Sequence, residues 1–234
     1  MSKPNQKNKA ESGNVIVIIL LAVGLFAALN YAFTSSSRTS SGFISDAQAE
    51  AYASEIIAYG NEVKQAVKRL QLRGCSDTEI SFENNVVSGY TNSNSPTDNS
   101  CHIFDVAGGG LNWKNQNNSS RNLSDYYLED YIFNGSNMVQ DLGQFAGELS
   151  LFAEVSLNVC NKINNNISDG LGSTPAEDVN GINLSQSNKF IGVYSQTAGL
   201  NAYPKVQSAC FHDNSTSTGP NAGYYYYYNV LISR

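Results

Sequence analysis

The side chains here that could carry chemistry are few. Four cysteines, Cys75, Cys101, Cys160 and Cys210, and two histidines, His102 and His212, are the main candidates. An even set of cysteines without a Cys-x-x-Cys pair reads as disulfides formed in an oxidising compartment. More than one pairing is open. Joining Cys75 to Cys101 and Cys160 to Cys210 links chain neighbours without threading one loop through the other, and is the favoured pairing. Zinc is the competing use, because Cys101-His102 and Cys210-Phe211-His212 each bring a sulfur and an imidazole together. Adjacent strand residues point to opposite faces, however, and no His-x-x-x-His spacing is present. Paired cysteines would also hold no thiolate for a Cys/His nucleophile. Gly108-Gly109-Gly110 has no following Lys-Ser or Lys-Thr and reads as a turn, not a phosphate loop. Glu129-Asp130 and Glu177-Asp178 read as solvated acidic pairs. No enzyme, cofactor or metal site is expected from these residues.

Composition limits the partners. The 234 residues carry 14 Lys+Arg against 20 Asp+Glu, a net charge of −6, so no basic footprint for nucleic acid is expected. With 41% hydrophobic and 15% charged residues the chain is too apolar for disorder. Asn is over-used, with 29 copies, which fits either codon drift or an amide-rich adhesive surface.

The elements that must position these residues begin with an uncharged run. Val15 to Phe33 contains 19 residues, long enough to reach about 28 Å as a helix. Lys3, Lys7 and Lys9 precede it, so the positive-inside rule places residue 1 in the cytoplasm. The run exceeds a signal-peptide core and lacks a small-x-small cleavage site, so it reads as retained. The expected organisation is a basic leader at 1–13, a transmembrane helix at 14–33, a polar joint at 34–43 and an extracytoplasmic domain at 44–234.

Ile44 to Arg73 has apolar residues at helical spacing, namely Ala53, Ile56, Ile57, Gly60, Val63, Val67 and Leu70. Acids lie early and bases late, and Gly74 is placed to end the helix. Beyond Cys75 the texture is short strands and turns. Strands are expected at Glu79–Glu83, His102–Val106, Phe190–Tyr194, Val206–Phe211 and Tyr224–Ile232. Asn134-Gly135 is expected to turn a hairpin, Ser156 to cap one small helix, and Asp169–Asn188 to be loop. The five tyrosines from Tyr224 to Tyr228 should alternate between a packed and an exposed face. The fold class expected is α+β: a long N-terminal membrane and amphipathic helix, then a mostly antiparallel sheet with one small helix.

The short basic leader, Gly13, the uncharged run and the continuing amphipathic helix, followed by a strand-rich domain with a late cysteine, resemble a type IV prepilin or a pseudopilin. The resemblance covers residues 1–73 in pattern and the remainder in architecture only. It implies cleavage between Gly13 and Asn14 by a prepilin peptidase, and assembly through the N-terminal helix with pilin-like subunits or further copies of itself. It also implies contact with membrane lipid and a single-pass inner-membrane precursor, with the C-terminal domain periplasmic or extracellular. The family usually has Phe or Met where Asn14 stands and Glu where Ile18 stands. A second reading of the same features is a single-pass membrane-anchored extracytoplasmic binding domain of unidentified ligand.

Overall fold

The computed structural model describes residues 17–26, 44–116, 131–143, 147–167, 171–172, 174–180, 182, 184, 189–195, 198–214 and 224–234. Two compact units divide the chain, Met1–Phe43 and Ile44–Arg234. In the first, residues 17–26 are helical.

The second unit opens with helix α1, Asp46–Leu72. Ser45 caps it: its Oγ accepts the Gln48 amide at 3.2 Å, and Gln48 Oε1 accepts the Ser45 amide at 3.0 Å. Each end of this capping box satisfies an amide that the helix cannot. Gly74, at φ +102°, takes the left-handed turn that ends the helix. Ala49, Ala53, Ile56, Tyr59, Val63, Val67 and Leu70 are buried along one face, and Ile57 is half-buried at its margin.

Among the described residues six strands follow: β1 Ile132–Val139, β2 Glu148–Val155, β3 Ala176–Asp178, β4 Ala198–Leu200, β5 Ser208–Asp213 and β6 Tyr225–Ile232. A second helix, α2 (Leu157–Ile167), lies between β2 and β3. The sheet order is β3-β5-β6-β2-β1-β4. The central pairs are antiparallel, but β1 with β4 and β3 with β5 are parallel.

This corrects the expected fold class. The sheet is mixed, because the stretch expected as plain loop after α2 contributes β3, and the chain before β5 contributes β4, one at each edge of the sheet. Parallel edges need long crossovers, and the chain from β1 to β4, which passes through β2 and α2, and the chain from β3 to β5 supply them. Nor do the described residues hold one long apolar helix ahead of the sheet. The described apolar helical residues, 17–26, span about 15 Å, whereas α1 is long and carries Glu50, Glu55, Lys64, Lys68 and Arg69. Among the described residues no helix is long and apolar enough to cross a membrane. The expected single-pass inner-membrane anchor over 14–33, with its cytoplasmic N-terminus, is corrected on that finding.

Local expectations are corrected too. Asn134-Gly135 turns no hairpin: β1 runs straight through it with a bulge against β2. Asn134 Oδ1 accepts the Ser136 amide at 2.6 Å and the Asn137 side chain at 3.0 Å, so the Asn braces the bulge. A Cβ on Gly135 would lie 2.6 Å from the Phe190 ring, so glycine serves close packing there. Glu79–Glu83 and His102–Val106 reduce to one bridge, Ser81 with His102. Phe190–Tyr194 forms no strand. Ser156 does stand at the N-terminal cap of α2, where its carbonyl accepts the Cys160 amide at 2.9 Å, but its hydroxyl finds no partner among the described residues.

The core has two parts, one on each face of the sheet. Tyr59 of α1 packs with Phe133, Leu151, Val155 and Tyr227 on the face that α1 and α2 cover. On the opposite face lie Phe152, Leu200, Phe211, Tyr226 and Tyr228. The tyrosine run therefore alternates between two buried faces, and Tyr226, Tyr227 and Tyr228 are at most 1% exposed. Chain between the strands covers the face expected to meet solvent.

Candidate functional site

Disulfides join Cys75 to Cys101 and Cys160 to Cys210, with Cα atoms 5.9 and 5.3 Å apart. The first ties residues 75–101 to the end of α1. Two arginines of α1 and its C-terminal cap extend that tie: Arg73 Nη1 donates to Gly108 O at 2.8 Å, and Arg69 Nη2 donates to Gly109 O at 3.2 Å. The triple-glycine turn meets backbone so closely that a Cβ on Gly108 would sit 2.0 Å from His102 O. The second disulfide joins α2 to β5. Beside it Asn164 Nδ2 donates to Cys210 O, and Asn164 Oδ1 accepts the Cys210 amide, each at 2.8 Å. With all four sulfurs bonded, neither a thiolate nor a Cys/His zinc site is assembled.

The remaining polar candidates are placed as follows. His212 Nδ1 lies 3.1 Å from Glu177 Oε1, and its ring stacks on Tyr225 at 4.6 Å. Asp178, buried at the end of β3, accepts the Asn201 amide at 3.0 Å. Among the described residues no three His, Cys, Asp or Glu side chains converge as metal ligands. Gly13, Asn14, Glu129 and Asp130 lie outside the described residues.

A cleft that the residue types did not announce opens over the segment these ties hold. Its volume is about 580 Å³, and it lies between residues 83–85 and 99–113. Phe104, Leu111 and Trp113 line it on the apolar side. Trp113 meets Phe104 edge-on at 5.4 Å, and both rest on Phe133, which stacks on Phe82 at 4.0 Å. The aromatic wall is thus anchored in the main core.

The polar lining divides into two sets. Three residues hold the loops. Asn84 Oδ1 accepts the amides of Val86 and Val87 at 2.9 and 2.7 Å, Asp105 Oδ1 accepts the Ala107 amide at 2.8 Å, and Asn99 Nδ2 donates to Asp105 Oδ2 at 3.1 Å. The side chains of Glu83, Asn85, His102 and Asn112 make no hydrogen bond among the described residues. The sole tryptophan within an Asn-rich stretch, Leu111-Asn112-Trp113-Lys114-Asn115, was the one signal in the sequence that could have drawn attention here.

The other exposed feature is apolar. Val17, Ile18, Ile19, Leu20, Leu21, Val23, Leu25 and Phe26 are each 54–70% exposed on the helical segment 17–26. Val17, Leu20, Leu21, Gly24 and Leu25 form a shallow groove along it. A Cβ on Gly24 would meet nothing within 4 Å.

Comparison with protein-family models, curated proteins and solved structures gives no match for this chain.

Proposed function

We propose that the protein is a pilin-like structural subunit that assembles, with copies of itself or with related subunits, through its apolar N-terminal helical segment. The observation carrying this reading is the run of eight large apolar side chains on residues 17–26, every one more than half exposed. A contiguous exposed apolar surface on a folded protein marks a contact made with something else. The amphipathic α1 packed over a sheet, and the resemblance of the opening residues to a prepilin, support the same reading.

The magnitudes favour many neighbours over one. Covering a half-exposed Leu, Ile, Val or Phe contributes about 1–2 kcal/mol. A single partner touching one helical face would cover about half the set and gain roughly 4–8 kcal/mol. Association costs about 4–15 kcal/mol, so one such contact is weak, whereas a fibre that surrounds each helix uses every face.

Gly24→Leu tests the reading. Gly24 has open space around it, so the larger side chain leaves the protomer undisturbed while holding neighbouring helices apart. Sheared-fibre recovery or cross-linking at matched protein level should fall sharply in the variant. Equal recovery, or no higher-order species from the wild type, removes the reading.

A further inference from the structure

We propose that the cleft between residues 83–85 and 99–113 is a binding site for a neutral sugar, with Trp113 and Phe104 forming the wall for a pyranose ring and Glu83, Asn85, His102 and Asn112 bonding its hydroxyls. The inference goes beyond the assembly reading and rests on different residues. Its volume of about 580 Å³ falls within the ~300–1,000 Å³ usual for small-molecule sites.

The lining selects the ligand class by elimination. Glu83 and Asp105 are present, and among the described residues the lining holds no Lys or Arg, so a phosphate or carboxylate ligand would meet only like charge. A hydrocarbon ligand would strip water from four polar side chains and give them nothing in return. A neutral polyol answers both conditions. Each hydroxyl donates and accepts, matching an amide, an imidazole and an acceptor-only carboxylate in one cleft. The C–H face of a pyranose also offers an apolar surface to the aromatic wall.

The site is also held in shape before any ligand arrives. The Cys75–Cys101 disulfide, the two arginine contacts to the glycine turn, and the Asn84, Asn99 and Asp105 hydrogen bonds fix both rims. A cleft fixed in this way loses little freedom on binding. The division of labour among its amides is the telling feature: those that hold the loops are bonded, and those left over line the opening.

Trp113 is the chain's only tryptophan, so its emission reports on this cleft alone. Full-length protein is titrated with glucose, galactose, mannose, N-acetylglucosamine, N-acetylgalactosamine and their common disaccharides, with inorganic phosphate and choline as charged probes. At least one neutral sugar should give a saturable change in Trp113 emission. Asn112→Ala and Asn85→Ala, both on exposed residues, should each weaken that sugar about tenfold while unfolding at the wild-type denaturant concentration. The proposal is overturned by flat emission with every neutral sugar, by a response that neither variant weakens, or by saturation with phosphate or choline in place of sugar.

Discussion

Gly60 fixes how closely α1 approaches the sheet, and replacing it measures that approach. Alanine in the middle of a helix is ordinarily favoured over glycine by about 0.8–1 kcal/mol. Here an added Cβ would lie 2.7 Å from Tyr227 Oη, 3.1 Å from Asn229 Nδ2 and 3.3 Å from Tyr227 Cε1. Tyr227 is fully buried, and its hydroxyl accepts from Ser208 Oγ and Asn229 Nδ2, both at 3.2 Å, so it cannot swing aside cheaply. Overpacking of this kind costs about 1–3 kcal/mol. Gly60→Ala should therefore be destabilising by up to about 2 kcal/mol despite the gain in propensity. Tyr227→Phe alone should cost about 1–2 kcal/mol through its two lost hydrogen bonds. In the double variant the nearest atom is gone, so Gly60→Ala should cost at least about 1 kcal/mol less than in the wild type. Urea unfolding followed by far-ultraviolet circular dichroism, with both disulfides intact, gives all three values. Stabilisation by Gly60→Ala on its own, or strict additivity with Tyr227→Phe, would refute the packing of α1 on β6 at this point.

Replacing Cys160 and Cys210 together by Ser opens a loop with a sequence separation of 50, against 26 for Cys75 and Cys101. The chain-entropy relation gives losses of about 4.1 and 3.5 kcal/mol respectively, so urea midpoints should fall for both and slightly further for the first pair. Burial pushes the Glu148 carboxyl above its usual range, against the opposing hydrogen bond from the Val139 amide at 2.8 Å. A carboxyl whose folded pKa is raised favours folding while protonated; that contribution is full below the unfolded value of about 4.3 and is lost as pH rises through the folded one. Glu148→Gln keeps an acceptor for Val139 and does not titrate, so the difference in stability between wild type and variant should shift against the wild type as pH rises from 4 to neutrality, as read from urea midpoints. A difference that does not vary with pH would show that Glu148 is ionised equally well in both states.

Periodicity was most informative where one face of an element meets the core. The stripe from Ala53 to Leu70 marks the buried side of α1, and its ends were visible in Gly74 and in the ordering of charge. Tyr225–Ile232 forms a strand because tyrosine and β-branched residues suit the pleat, but alternation could not say that both faces would be covered. That depends on segments far away in sequence. The same limit explains the missed parallel edges, since three-residue strands take their register from the sheet they join and carry no period of their own. Asn134-Gly135 misled because the signal for a tight turn is also the signal for a braced bulge with a ring packed against the glycine. The cleft was invisible for another reason. Glu83, His102 and Trp113 are brought together by a disulfide and two arginine contacts, and none of the three has a spacing that implies the others.

Assembly through residues 17–26 can be tested most directly by giving that segment a thiol. All four native cysteines are held in disulfides, so Leu21→Cys or Leu25→Cys introduces the chain's one free thiol. Val179→Cys, at a residue 60% exposed on the other compact unit, is the control. After mild oxidation of the full-length protein, the Leu21 and Leu25 variants should yield covalent dimers on non-reducing gels, and the Val179 variant should remain monomeric. Dimers formed equally by all three, or by none, would contradict assembly through the apolar helical segment.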